Sequence, residues 1–172
     1  IIMGNRYAEG IDCKKDYDEA FKYYKLATEI RPVQQFLGKA FVKLGLLYMS
    51  DKKIKRIDDE IRHSKVGNTL SEIKGWRQNK ALALFESATK LSSFYRPAEA
   101  WYWIGFIKES QNKFDQAILA YQKALEDGFD KAGYDFKRLL VEHYKVDKKY
   151  TTSTSTDTPA NMISTNPWIA YA

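Results

Sequence analysis

The side chains best suited to chemistry are few in this chain of 172 residues: Cys13, His63 and His143. A single cysteine supports neither a disulfide framework nor a zinc site built from several thiolates. The two histidines have no partner carboxylate in a recognisable motif, which argues against a His-based triad or a multi-His metal centre. Paired carboxylates, the raw material of general acid–base catalysis, occur at Asp58-Asp59-Glu60 and at Glu126-Asp127. Both sit in polar helical or turn contexts, where a solvated face or a helix-end charge is the ordinary role. Cys13 falls at an apolar position and is expected to act as a small buried hydrophobe. No glycine-rich phosphate loop follows a strand, because no segment has the pattern of a strand. The expectation is a non-catalytic protein with no cofactor and no metal.

Binding chemistry is better represented. The stretch 51–78 holds Lys52, Lys53, Lys55, Arg56, Arg62, Lys65, Lys74 and Arg77, interleaved with Ile54, Ile57 and Trp76. Acidic residues share the same stretch, so its excess is small against the whole-chain net charge of +6. Tracking a phosphate backbone normally takes a denser stripe of one sign. A polyanion or nucleic acid held by Lys52, Lys53, Lys55, Arg56 and Arg62 is therefore the second reading. Aromatic residues make up 15% of the chain, twelve of them Tyr, and need an architecture that uses rings. There is no basic n-region with a long apolar run, and no apolar stretch long enough to span a bilayer. The cytoplasm is the default location.

The elements that would position these residues show themselves as repeats. Three segments share Ala20-x-x-Tyr23-Tyr24-x-x-Ala27, Ala81-x-x-Leu84-Phe85-x-x-Ala88 and Ala117-x-x-Ala120-Tyr121-x-x-Ala124. Upstream of each lies Gly4-x-x-Tyr7, Ala40-x-x-x-Leu44-Gly45-x-x-Tyr48 or Ala100-x-x-x-Ile104-Gly105. Spacings of three, four and seven put these residues on one face of a helix. The small residues let a neighbouring helix approach, and the ring fills the gap beside them. Each segment is thus an αα-hairpin that buries its apolar stripe only by stacking on the next.

On these residues the chain resembles two related families of helical repeat. Ala98 to Lys131 resembles a tetratricopeptide repeat, with Trp101, Ile104, Gly105, Ala117, Tyr121 and Ala124 in register, although Lys108 replaces the usual Tyr and Phe129 the usual Pro. Met3 to Ile30 is more similar to the Sel-like repeat, with Gly4, Tyr7, Gly10, Asp16, Ala20, Tyr23, Tyr24 and Ala27. The resemblance implies an all-α solenoid, a right-handed superhelix whose first helices line a concave groove for a peptide or protein partner. Carried over by register, the groove positions are Asn5 and Glu9, then Lys39, Val42, Leu46 and Met49, then Glu99, Tyr102, Phe106 and Glu109, and finally Tyr134 and Arg138. The surface is apolar and aromatic at its middle and charged at its edges, as a peptide groove would be. Some relatives grip a chaperone's terminal carboxylate with Lys, Asn and Arg. Here those positions hold Ile1, Leu46, Glu99 and Trp103, and only Asn5 matches, so that mode is not expected.

The organisation that follows is a repeat domain over 1–150, with hairpins at 1–31, 34–92 and 98–128 and a capping helix at 130–147. The middle hairpin is lengthened by 51–78. Ile54, Ile57 and Ile61, then Leu70 and Ile73, keep helical spacing, Val66-Gly67-Asn68 signals a turn, and Thr69-x-x-Glu72 is a capping box. These signals favour two helical extensions that prolong the hairpin into a projection over a disordered basic loop. The capping helix carries Tyr134, Leu139, Leu140, Val141 and Tyr144 on one side and gives the solenoid a wet outer face. Thr151 to Thr158 is a Ser/Thr linker, and the last heptad carries Trp168, Ile169 and Tyr171. Such a tail is expected to return to a groove or face of its own solenoid, or to mediate self-association.

Overall fold

A computed structural model describes residues 1–30, 34–91 and 97–144. The linker and tail expected at 151–172, with Trp168, Ile169 and Tyr171, lie outside the described residues, as do the last residues of the expected capping helix. Among the described residues there are eight helices and no strand: α1 (Ile2–Glu9), α2 (Tyr17–Ile30), α3 (Gln34–Met49), α4 (Lys55–His63), α5 (Leu70–Thr89), α6 (Ala98–Ser110), α7 (Phe114–Glu126) and α8 (Ala132–Tyr144). Contacts run along the chain, from α1 to α2 to α3 to α5 and on through α6, α7 and α8. That is the nearest-neighbour order of an all-α hairpin solenoid, with hairpins α1/α2, α3/α5 and α6/α7 and α8 as the last layer.

One contact is repeated in all three hairpins. A Cβ built on Gly4 would lie 2.5 Å from the Tyr24 ring, one on Gly45 2.5 Å from Phe85, and one on Gly105 2.7 Å from Tyr121. The ring of the second helix thus rests directly on the backbone of the first, a distance that only glycine allows. The alanines of the shared pattern complete the packing, with Ala20, Ala40, Ala81, Ala88, Ala100, Ala117 and Ala124 all fully buried. Two clusters result. The larger spans α2 to α7 around Phe21, Val42, Ile57 and Phe85, and the smaller joins α7 to α8 through Tyr121, Phe136 and Leu139.

Local signals set the helix ends. Gly10 closes α1 in the left-handed region at φ 76°, where its N–H and that of Ile11 both reach the Arg6 carbonyl. The Asp16 carboxylate accepts from the N–H groups of Asp18 and Glu19, at 2.9 and 3.0 Å, and so caps α2. Thr69 and Glu72 form a reciprocal capping box at the start of α5.

The middle hairpin departs from the expected projection. α5 is prolonged at its start, but α3 stops at Met49, and the first half of the insertion turns back as the separate helix α4 against α2. Burial explains this. Ile54 and Ile57 are fully buried in the large cluster, with Ile61 packed against it. A projecting arm would leave both side chains in water, forfeiting roughly 1.5–3 kcal/mol for each. Polar contacts fix the fold-back. The Asp18 carboxylate accepts from the backbone N–H of Lys55 and Arg56, at 3.1 and 3.0 Å, at the exposed N-terminus of α4. Glu60 accepts from the Tyr48 hydroxyl at 2.6 Å and from the Lys25 ammonium at 2.9 Å.

Candidate partner-binding surface

The groove positions fall into three sets. Val42 is a correction: it is 2% exposed and belongs to the core, because α3 turns that side toward its neighbours. Leu46 is half-buried against the same core, while Glu9 and Lys39 are exposed. Asn5 accepts from the Tyr24 hydroxyl at 2.8 Å. Burial, with Glu9 nearby, pushes that hydroxyl up to about 12.

Tyr102, Glu109 and Arg138 are tied into a polar cluster joining α6, α7 and α8. The Tyr121 hydroxyl donates to Glu109 at 2.8 Å, and the Arg138 guanidinium donates to Glu109 at 2.7 Å and to Asp135 and Glu142 at 3.2 Å. Tyr102 donates to Asp135 at 3.3 Å. Burial, then the bond to Glu109, pushes the Tyr121 hydroxyl well above its ordinary range. The Glu109 bond in turn holds the Arg138 guanidinium in its charged form. These groups hold helices together, and α8 presents Tyr134 to solvent beside them.

Met49 and Phe106 form the third set, and the fold brings them into one cleft. It lies among the end of α3, the start of α5 and the end of α6, and has a volume of about 470 Å³. Leu70 and Ile73 add apolar surface, and Asp51, Lys74 and Arg77 stand at its edge. Phe106 is 42% exposed and Leu70 83%. Arg77 donates to the carbonyls of Tyr48 and Ser50, at 2.9 and 2.7 Å, and so satisfies the end of α3 while walling the cleft. Neither this role nor the capping of α4 by Asp18 has a sequence signal, since each pairs residues far apart in the chain.

The basic residues of the insertion are dispersed around α4. Lys52 lies over the Tyr17 ring at 5.6 Å, Arg62 pairs with Asp59, and Lys53, Lys55 and Arg56 are exposed. Asp58, Asp59 and Glu60 share the same helix. The reactive residues of the sequence lie apart from one another. Cys13 is half-buried with its thiol toward the Arg6 carbonyl, His63 Nδ1 donates to the Asp59 carbonyl, and His143 stacks on Phe114. Among the described residues no group of three or more His, Cys, Asp or Glu is placed to hold a metal ion, and no helix is long and apolar enough to cross a membrane.

A second surface went unread in the sequence. The starts of α1 and α3 and the end of α2 enclose an apolar hollow of about 380 Å³, lined by Ile2, Met3, Tyr23, Leu26, Ile30 and Phe36 among others. Its residues come from three helices, and no periodicity within one segment reveals it.

Family models described as tetratricopeptide repeat match residues 98–126, which span α6 and α7, and residues 14–34, which contain α2 and its Asp16 cap. Neither a curated protein nor a solved structure matches the chain. The first matched segment contains both Gly105 and Tyr121, and the second contains Tyr24, whose partner Gly4 lies on α1 just before it. Residues 98–126 and 14–34 thus match tetratricopeptide repeats, and repeats of that kind generally mediate contacts between proteins.

Proposed function

We propose that the chain is a non-catalytic interaction module that seats an apolar or aromatic side chain of a peptide or protein partner in the α3/α5/α6 cleft. The observation that carries this is the convergence of Met49, Ile73 and the half-exposed Phe106 in one open hollow beside Lys74 and Arg77. Ring and thioether surfaces supply the anchor area, and charged groups at the edge give orientation. Three other groove positions have structural duties. Tyr102, Glu109 and Arg138 hold α8 in place, and a partner reaching them would have to replace bonds already made.

The test is selection of peptides from a random library by the chain and by its Phe106→Asp variant. The expected outcome is a family of peptides with one large apolar residue, bound at least tenfold more weakly by the variant. Binding of selected peptides that survives Phe106→Asp and Met49→Asp would overturn the cleft. An oligonucleotide whose log affinity falls by several units per log of salt, and which is lost on replacing Lys52, Lys53 and Lys55, would favour a polyanion instead. The tail, uncharged from residue 158 onward, has little to gain from this cleft's charged edge.

A further inference from the structure

The hollow formed by α1, α2 and α3 differs in kind from the cleft. Among the described residues none of its lining side chains is charged, and Ile2 and Ile30 are 76% and 67% exposed, beside Leu26 and Phe36. Contiguous apolar surface of this sort on a soluble domain marks a place that something covers.

We infer that residues 166–172 of the same chain cover this face, with Trp168 and Ile169 as anchors. Chemistry is the first argument. From residue 158 to 172 there is no charged side chain, while Trp168, Ile169 and Tyr171 concentrate apolar surface in one heptad. A neutral apolar segment gains most on a face lined by uncharged side chains, because it strips water from none of them as an ionic group. Reach is the second. The roughly 24 residues from Tyr144 to Trp168 give an average span near 27 Å for a linker of this composition. Six packed helix pairs lead from α8 back to α1, at most about 60 Å at roughly 8–10 Å each, and the same linker reaches about 80 Å when fully extended. The tether then supplies an effective concentration on the order of 1 mM, well above the concentration of a second copy in dilute solution.

The experiment uses the full chain with Cys13→Ser and Ala170→Cys, carrying a nitroxide on the new cysteine, and reads paramagnetic broadening of backbone amide signals. Broadening of Ile2, Met3, Leu26, Ile30 and Phe36 is expected in dilute solution. It should fall to background in Leu26→Glu, and equally in a Trp168→Ala, Ile169→Ala double variant, which leaves every helix untouched. Broadening centred on Met49, Ile73 and Phe106 would overturn the assignment, and so would uniform or absent broadening. Persistence of the effect when the nitroxide sits only on an isotopically silent copy would show a second molecule as the source and also overturn it. Broadening that survives both variants would do the same. The peptide-binding assay on Phe106 is independent of all these outcomes.

Discussion

The middle and third hairpins make the same contact and close it differently. In each, a glycine on the first helix takes a ring from the second, Gly45 with Phe85 and Gly105 with Tyr121. The third joins its helices through residues 111–113 alone, whereas the middle one inserts residues 50–69 and folds α4 back over α2. Both are braced by a Tyr–Glu–cation cluster, but from different sources. In the third, Tyr121, Glu109 and Arg138 all come from repeat helices and the layer that follows. In the middle, the insertion itself supplies Glu60, and the repeat helices α2 and α3 supply Lys25 and Tyr48. A repeat can therefore accept a long insertion without losing its packing, provided the insertion brings apolar residues for an existing gap and polar groups for existing partners.

The strongest way to break this comparison is to empty α4 of its anchor. Ile57 is as fully buried as Ile107 of α6. If α4 is part of the fold, Ile57→Ala and Ile107→Ala should each destabilise the chain by about 2–5 kcal/mol. Urea unfolding followed by circular dichroism reads both. An Ile57→Ala loss below about 1 kcal/mol would make α4 an ornament and not a component.

The shared contact is probed next. Alanine at Gly45 or Gly105 forces a methyl group into a ring, and overpacking of this kind costs about 1–3 kcal/mol. Equal losses in both hairpins would mean that the insertion leaves the hairpin geometry intact. A much smaller loss at Gly45 would mean that it loosens the middle hairpin. Gly75 is the control within the same pair of helices. It lies inside α5, and a Cβ there meets nothing within 4 Å. Gly75→Ala should stabilise by about 0.5–1 kcal/mol, because only the backbone freedom of the unfolded chain changes. The opposite signs at Gly45 and Gly75 test packing against propensity.

These contrasts also mark what the sequence can and cannot carry. Gly4, Gly45 and Gly105 and their rings were readable because their spacing repeats within single segments and is enforced by helix periodicity. The insertion was half readable. Thr69-x-x-Glu72 fixes the start of α5 locally, but the direction of α4 depends on a gap beside Phe21 and Tyr48 that no local pattern encodes. For the same reason Val42 was placed on the groove by register and buried by its neighbours, while Met49 and Phe106 were named separately and meet only in space. Glu60 and Arg77 read as ordinary polar-face charges and Asp18 carries no signal at all, since their partners lie on other elements.

The tyrosine cluster of the middle hairpin is probed last, by pH. Burial pushes the Glu60 carboxyl upward, but the Tyr48 hydroxyl and the Lys25 ammonium outweigh it and hold the group below the ordinary 4.5. A carboxyl held low in the folded chain contributes stability that is complete above the ordinary value and is lost as pH falls through the folded one. Tyr48 itself is pushed far up by burial and then by its bond to Glu60, so its own ionisation does not intrude near neutrality. Tyr48→Phe should therefore cost about 1–2 kcal/mol at neutral pH. The gap between wild type and variant should narrow as pH falls below about 4.5, because protonated Glu60 no longer rewards the donor. The exposed Lys25 pair contributes little by itself, about 0–1 kcal/mol, so most of the narrowing should follow the hydroxyl. Urea midpoints for both chains at about pH 7 and about pH 3 decide the matter. A gap of the same size at both would mean that Tyr48 braces α4 by packing against Phe21 and Trp76, with Glu60 incidental.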